Sequence, residues 1–254
     1  MSQNFKSFPK SIKTLLIVFL SLFSAENTIA QLDYKLWLQY PKIENSKTIQ
    51  EYQSNTKGIY AFGTTETIQV AVKELQLAYN GMLGQEISKL SKSNEANTLL
   101  LGNTSNLNQE LQKNCAKELE SISNEGFIIK TITLNNKKQL LITGKTDIGV
   151  LYGVFHFIRL LQTNQSINNL SIVDSPKINV RILNHWDNLD ATVERGYAGS
   201  SIWNWQKLPE FIDQKYIDYA RANASVGING AVLNNVNANA LILTPLYLEK
   251  VEAL

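Results

Sequence analysis

The sequence is poor in the residues that usually reveal a metal or redox function. Its 254 residues include one cysteine, two histidines and two methionines. Cys115 has no second cysteine for an internal disulfide, and it lacks the neighbouring Cys and His residues of a zinc site. A thiol nucleophile would need His156 or His185 beside it. We therefore interpret Cys115 as a bystander thiol in a polar, helix-like loop.

The chain also lacks a surplus of one charge. Its formal net charge is +2, and that surplus lies in the first 30 residues, where Lys6, Lys10 and Lys13 stand against Glu26. The rest of the chain is neutral and shows no basic stripe with interleaved aromatic residues, so no nucleic-acid partner is predicted. A hydrophobic content of 44% is enough for a packed core.

No apolar run approaches the roughly 20 residues that a membrane-spanning helix needs. The N-terminal run Leu15–Phe23 instead follows three lysines and precedes the small residues Thr28-Ile29-Ala30, a pattern typical of an export signal. We expect residues 1–30 to be a signal peptide cleaved after Ala30, a periplasmic or secreted mature protein, and no stable membrane insertion. An uncleaved signal anchor is the alternative.

Alternating strand and helix patterns predict an α/β domain over residues 31–175. One helix carries an apolar face at helical spacing and ends near Gly84. The loop LNNKK is a plausible hairpin turn between two of the strands. The predicted strands are Ile59–Phe62, Thr98–Leu101, Gly126–Ile132, Gln139–Thr143 and Leu170–Val173.

The helix predicted over Asp147–Gln162 is apolar on nearly all sides, with Thr146 as its N-cap. Gly149 and Gly153, four residues apart, would let this helix lie close against a sheet. His156 stands inside the apolar run, so we interpret it as a core or edge histidine rather than a ligand.

Beyond Pro176 the pattern predicts two βα units. Strand candidates Ile178–Leu183 and Ile228–Leu233 both end in polar residues, Asn184-His185-Trp186-Asp187-Asn188 and Asn234-Asn235-Val236-Asn237. A helix is predicted within 208–226, and Pro245 opens another. The apolar positions of the first helix are Phe211, Ile212, Tyr216, Tyr219 and Ala220. Parallel strands deliver their polar tips to one edge, as at the top face of a (β/α)8 barrel.

Two segments carry a family resemblance. NHWDNLDATVERGYAGSSIWNW, from Asn184, and YARANASVGINGAVLNNVNANALILTP, from Tyr219, closely resemble glycoside hydrolase family 67, the microbial α-glucuronidases. The resemblance implies an α/β accessory domain over residues 31–175 and the first two βα units of an incomplete (β/α)8 barrel over 176–254. It also implies inverting removal of (4-O-methyl-)D-glucuronic acid from glucuronoxylan oligosaccharides (aldouronic acids), with no metal or organic cofactor. Full-length members are expected to be homodimers.

The resemblance also assigns candidate substrate-binding residues. Trp186 matches the tryptophan that packs against the bound uronic acid, and Val236 matches the valine beside the 4-O-methyl group. An indole face and a branched aliphatic side chain suit these contacts. Arg195 is a candidate for the uronate carboxylate, but we favour its pairing with Glu194 or Asp190 to brace a loop.

Each of the remaining polar and aromatic residues of this region can have a structural role or a functional one. Trp203 and Trp205 either line the rim of a groove or staple a loop. Asp187 and Asp190 could form an acid/base pair or a calcium loop, but we interpret them as buried hydrogen-bond partners of neighbouring loops. His185 is interpreted as an orienting hydrogen-bonding residue rather than a base.

No catalytic residue is assigned. The resemblance places the catalytic acid and base on later barrel strands, beyond Leu254, so the chain alone is expected to be inactive. Three interpretations therefore stay open: the front portion of an α-glucuronidase, a non-catalytic carbohydrate-binding module, or a cell-surface accessory protein.

Overall fold

The computed structural model describes residues 35–254, which divide after Gln39 into two compact units. The described part of the first unit is a short 3-10 helix, Leu36–Gln39. The predicted signal peptide, residues 1–30, lies outside the described residues. From residue 35 onward, no helix is long and apolar enough to cross a membrane.

Six strands of the second unit form one mixed sheet. Strands β2, β1, β3 and β5 run parallel, whereas β4 is antiparallel to both β5 and β6, in the order β2-β1-β3-β5-β4-β6. The α/β class is thereby confirmed. The strands are β1 (Gly58–Ala61), β2 (Ser88–Lys89), β3 (Thr98–Asn103), β4 (Phe127–Leu134), β5 (Lys137–Gly144) and β6 (Ser171–Asp174).

Five helices accompany this sheet, and the predicted apolar face belongs to the longest. All of its members are buried: Ile68, Val72, Leu75, Tyr79 and Met82. Gly84 ends this helix in the left-handed conformation at φ 61°. The helices are α1 (Ser46–Asn55), α2 (Glu66–Leu83), α3 (Gln109–Asn114), α4 (Ala116–Ser121) and α5 (Asp147–Gln162).

The hairpin between β4 and β5 forms where it was predicted. Its two turn residues, Asn135 and Asn136, both have positive φ, 50° and 61°. Two consecutive left-handed residues make the turn whose twist matches that of antiparallel strands, and asparagine tolerates this conformation.

Helix α5 packs directly on the sheet, as its glycines predicted. Thr146 caps it by accepting a hydrogen bond from the N–H of Gly149 at 3.3 Å. A Cβ at Gly149 would lie 2.4 Å from the carbonyl oxygen of Gly126, closer than any side chain permits. His156 is half-buried with its ring 5.2 Å from that of Phe127, and burial lowers its pKa. His156 therefore lies at the edge of the core, one of the two positions predicted for it.

Cys115 lies between α3 and α4, and its surroundings correct the prediction of a polar loop. The residue is 0% exposed and packs in an apolar cluster. Its thiol donates a hydrogen bond to the carbonyl of Leu111 at 3.4 Å, and burial raises its pKa to about 11. The polar residues of KNCAKELE, which suggested a loop, lie on the outer faces of the two short helices α3 and α4.

The predicted βαβα series is present in the last third of the chain. Strands β7 (Ile182–Asn184) and β8 (Gly230–Val232) pair in parallel, with Ile182 opposite Gly230. Helix α6 (Gln214–Ser225) connects them, and α7 (Pro245–Glu252) follows a 3-10 helix, Ala240–Leu243. Pro245 opens α7 as predicted.

The structure shortens two of these predicted elements. Ile178 and Val180 were predicted in the strand, but they precede it and are 67% and 68% exposed. Phe211 and Ile212 were predicted as apolar helix positions, which is wrong because both lie before α6 and are exposed. Pairing with β8 begins only at Ile182.

A buried ion pair joins α2 to α6. Glu74 on α2 is 2% exposed, and its carboxylate accepts hydrogen bonds from Arg221 of α6 at 2.5 and 3.1 Å. The hydroxyl of Tyr40 donates to the same carboxylate at 3.1 Å. These hydrogen bonds raise the pKa of Arg221, so its charge is retained.

A second polar junction joins the start of β4 to the two-stranded sheet. Glu125 forms an ion pair with Arg181, just before β7, and accepts a hydrogen bond from Asn229, just before β8, at 3.1 Å. Arg181 Nε also donates to the carbonyl of Gly227 at 2.5 Å. Burial alone would raise the pKa of Glu125, but the hydrogen bonds from Arg181 and Asn229 outweigh it and lower the pKa.

Glu125→Gln should destabilise the chain at neutral pH, because it removes the charge that pairs with Arg181. A carboxyl group whose pKa is lowered by folding stabilises the native state above its unfolded pKa, and that contribution disappears as the pH falls through the folded pKa. The difference in free energy of unfolding between parent and variant should therefore be largest near pH 7 and shrink in acid. Urea unfolding at several pH values measures it. Glu120→Gln, at an exposed position of α4, is the control; a similar effect in both variants would contradict the expectation.

Candidate functional site

The residues that follow β7 and β8 run side by side, so the two polar tips meet as predicted. The N–H of His185 donates to the carbonyl of Val232 at 2.9 Å, and the N–H of Asn235 donates to that of Asp187 at 2.8 Å. Backbone pairing thus continues past the strand ends and fixes both tips at one edge of the sheet.

Asp187 is a buried structural acid at this edge. It is 4% exposed, and its Oδ2 accepts a hydrogen bond from the Ser201 hydroxyl at 2.5 Å. Its Oδ1 lies 3.6 Å from Nδ1 of His185. The interpretation of Asp187 as a hydrogen-bond partner of a neighbouring loop is confirmed.

His185 is held between two aromatic rings. Its Nε2 is hydrogen-bonded to the hydroxyl of Tyr219 at 2.6 Å, and its ring centroid is 5.4 Å from those of Trp203 and Tyr219. Burial raises the pKa of Tyr219, so the hydroxyl stays protonated. His185 therefore connects the tip of β7 to helix α6, in keeping with the predicted orienting role.

Trp203 and Trp205 staple the loop rather than line a rim. They are 4% and 1% exposed. The ring centroid of Trp203 lies 5.2 Å from that of Tyr216 on α6, and the centroid of Trp205 lies 6.1 Å from that of Tyr247 on α7. Neither indole N–H has a hydrogen-bond partner within the part of the chain that the structure describes. Their packing fixes the loop against both helices.

The loop after Trp186 folds back on itself. Isolated bridges join Asp187 to Val193 and Thr192 to Ser200. Asn188 Nδ2 donates to the carbonyl of Glu194 at 2.8 Å. The segment therefore pairs with itself beside the ends of β7 and β8. We call it the strand-end loop (residues 188–200).

The predicted ion pair between Asp190 and Arg195 does not form in this loop. Asp190 was predicted to be buried, which is wrong: it is exposed and bonded within its own loop. It accepts hydrogen bonds from the N–H and hydroxyl of Thr192 at 3.0 and 2.6 Å, and these hydrogen bonds lower its pKa. Arg195 is exposed, and among residues 35–254 it forms no ion pair with Asp190 or Glu194. Its guanidinium is therefore presented to solvent.

Two of the predicted sugar-contacting side chains stand exposed above this framework. Trp186 is 51% exposed and Val236 is 86% exposed. They flank the bonded pair Asp187–Asn235, one residue before it and one residue after it. An exposed indole, an exposed aliphatic group and a nearby guanidinium can together hold an acidic sugar. The contact itself stays a prediction.

Sequence reasoning missed most of the supporting residues. Tyr216 and Tyr219 were predicted only as apolar positions of a helix, yet their hydroxyls bond Asn204 and His185. Ser201 gave no signal at all. Within residues 35–254, no group of three or more His, Cys, Asp or Glu side chains could hold a metal ion.

A mixed sheet with its helices, followed by a parallel βαβ unit, places the chain in the class of α/β proteins. The family models narrow the class. Glycosyl hydrolase family 67 N-terminus matches residues 36–157, and glycosyl hydrolase family 67 middle domain matches residues 160–254. The chain belongs to glycosyl hydrolase family 67, as the two sequence segments predicted.

Curated relatives agree with this assignment. The chain is 34% identical to the probable alpha-glucuronidase A of Aspergillus terreus over 87% of its length, and 31% identical to that of Aspergillus oryzae over 92%. It spans about a quarter of those relatives, 26% and 27% of their lengths. Among solved structures, a GH115 4-O-methyl-alpha-glucuronidase aligns with 78% of the chain and with 27% of its own length. The sequence identity is 14% and the TM-score is 0.49.

Tyr219→Phe should destabilise the chain by about 1 kcal/mol, because it removes the hydroxyl bonded to Nε2 of His185 and leaves a largely buried nitrogen without that partner. Urea unfolding followed by tryptophan fluorescence measures the loss. Tyr60→Phe is the matched control, since Tyr60 is partly buried and packs edge-on against Phe62. Equal stability of both variants would show that the bond to His185 contributes nothing.

Proposed function

We propose that this chain is part of an α-glucuronidase that removes (4-O-methyl-)D-glucuronic acid from glucuronoxylan oligosaccharides with inversion. The observation that carries the proposal is the exposure of Trp186 and Val236 on either side of the bonded Asp187–Asn235 pair. Membership of family 67, with relatives named alpha-glucuronidase, supports the same activity.

Each exposed side chain has one role in this proposal. The indole of Trp186 packs against the C–H face of the uronic acid, and Val236 contacts the 4-O-methyl group. Arg195 pairs with the uronate carboxylate, for which a planar guanidinium offers two parallel hydrogen bonds. Its exposure and its lack of an ion pair within residues 35–254 support this role over loop bracing.

Catalysis needs groups of a different kind. Inverting hydrolysis uses a proton donor and a base whose carboxyl groups lie roughly 6.5–9.5 Å apart. Asp187 is buried against Ser201, and Asp190 is bonded to Thr192, so neither is suited to activate water. We place the acid and base on barrel strands outside residues 35–254, and we expect this chain by itself to bind without hydrolysing.

The whole protein would then combine three parts. Residues 1–30 direct export to the periplasm or beyond, residues 31–175 form the accessory domain, and 176–254 begin a (β/α)8 barrel. The parallel pair β7–β8 supports the last assignment, since barrel strands gather their functional residues at one edge. The full-length protein is proposed to be a homodimer.

A non-catalytic carbohydrate-binding or cell-surface accessory protein is the second candidate. The observation in its favour is the same engagement of Asp187 and Asp190 in structural hydrogen bonds. The α-glucuronidase and the carbohydrate-binding module both require sugar binding at the strand-end edge and differ in whether the whole protein hydrolyses the glycoside. A cell-surface accessory protein requires no sugar binding.

Trp186→Ala should weaken binding of an aldouronic acid by about tenfold, because the indole supplies the largest apolar contact. Titration calorimetry with a 4-O-methylglucuronic acid-bearing xylotriose measures it. Trp37→Ala is a matched control, because it removes an indole that is similarly exposed, 50%, from the 3-10 helix Leu36–Gln39. Unchanged binding in Trp186→Ala would remove the main support for the proposal.

The same samples test catalysis. Release of 4-O-methylglucuronic acid by the 254-residue chain would mean that its own carboxylates do the chemistry. Release only by a longer protein from the same locus would support the α-glucuronidase. Binding without release by any form would favour the non-catalytic alternative.

Val236→Ala should reduce the preference for 4-O-methylglucuronic acid over glucuronic acid by about threefold to fivefold, because it shortens the apolar contact with the methyl group. The ratio of the two dissociation constants measures this preference. Val226→Ala, at a 51% exposed position that follows α6, should leave the ratio unchanged. If the ratio falls in both variants, or in neither, the proposed role of Val236 in recognising the methyl group is wrong.

A further inference from the structure

The strand-end loop presents one aromatic side chain that the proposed site does not use. Tyr197 is 76% exposed, more than every other exposed large hydrophobic residue of the described part except Val236. A single exposed tyrosine is ordinary on a protein surface. What distinguishes Tyr197 is the backbone that carries it.

That backbone is strained but firmly held. Ala191 and Glu194 have positive φ of 70° and 59°, and Gly196 and Gly199 have φ of 90° and 102°. A residue with a Cβ loses roughly 1–2 kcal/mol in this region, so the surrounding bonds have to fix the conformation. A Cβ at Gly196 or Gly199 would meet no atom within 4 Å, so these glycines serve the backbone turn and not close packing.

The bonds that hold the loop connect it to the site. The N–H of Glu194 donates to the carbonyl of Trp186 at 2.8 Å, and the carbonyl of Glu194 accepts from side-chain amides of Asn188 and Asn235 at 2.8 and 3.4 Å. The N–H of Gly196 donates to the carbonyl of Val193 at 3.0 Å. Strain confined to a loop with so many tethers is typical of a functional surface.

The position of Tyr197 follows from these tethers. Glu194 is bonded to Trp186, and three residues of extended chain span at most about 10–11 Å. Tyr197 therefore lies within the reach of a short oligosaccharide from Trp186, on the same loop as Arg195. A tyrosine ring offers a flat apolar face for the C–H side of a second pyranose.

Resting on the proposed function, we propose that Tyr197 is a second sugar-stacking residue, which contacts the xylose chain of a substrate whose glucuronic acid packs on Trp186. Tyr197 then makes binding depend on the length of the xylan fragment. Trp186 and Arg195 contact only the acidic sugar.

The test compares ligands of increasing length against variants of the full 254-residue chain. Dissociation constants are measured by titration calorimetry for 4-O-methylglucuronic acid alone and for the same sugar on xylobiose and xylotetraose. In the parent chain, affinity should rise with length. Tyr197→Ala should lose this gain, roughly 3- to 10-fold on the longest ligand, while its affinity for the free uronic acid stays unchanged. Tyr197→Phe keeps the ring and should retain the gain.

The other outcomes each overturn something specific. An unaltered length gain in Tyr197→Ala overturns the stacking role alone, and the proposed function stands. Loss of the gain in Tyr197→Phe as well shows a contact through the hydroxyl and overturns stacking. A parent chain that binds none of the uronides overturns the proposed function and this inference together. Circular dichroism of each variant checks that the fold is retained.

Discussion

The parallel pairing of two three-residue strands is the constraint on which the candidate site depends. Ile182–Asn184 and Gly230–Val232 are separated by more than forty residues, and parallel backbone pairing brings them together. Further bonds extend the pairing in both directions, from Asn229 to Arg181 and from Asn235 to Asp187. Without this register, the two polar tips would have no common edge.

Such a short pair needs support from outside itself, and charged side chains supply much of it. Glu74 and Arg221 anchor α6 on α2, whereas Glu125 binds Arg181 and Asn229 at the base of both strands. Taking charges out of water is costly, so we expect the buried Glu74–Arg221 pair to contribute more to a defined arrangement than to net stability. Apolar contacts above them complete the support, chiefly the rings of Trp203, Tyr216 and Tyr219.

Local pattern predicted five of the six strands of the larger sheet and its two longest helices, but not α1 or β2. The start of α5 at Asp147, its Thr146 cap and the asparagine turn of the hairpin depend on neighbouring residues, so the sequence predicts them closely. The lengths of β7 and α6 depend on distant partners, and both predictions were too long. From the sequence, Trp203 and Trp205 could either line a groove or pack under the loop. Their contacts with Tyr216 of α6 and Tyr247 of α7 decide between these roles, and those partners are distant in the chain. Trp186 and Val236 could be selected through family resemblance, but the amides and hydroxyls beneath them could not.

The burial of Cys115 has a practical consequence. A single thiol, protonated at neutral pH and enclosed by leucines and isoleucines under the helical layer, reacts with an alkylating reagent only after that layer opens. Its rate of labelling therefore reports how often α3 and α4 open away from β3 and β4. Because this region lies apart from the two-stranded sheet in sequence, the same labelling rate distinguishes opening of the N-terminal core from fraying of the edge formed by the ends of β7 and β8.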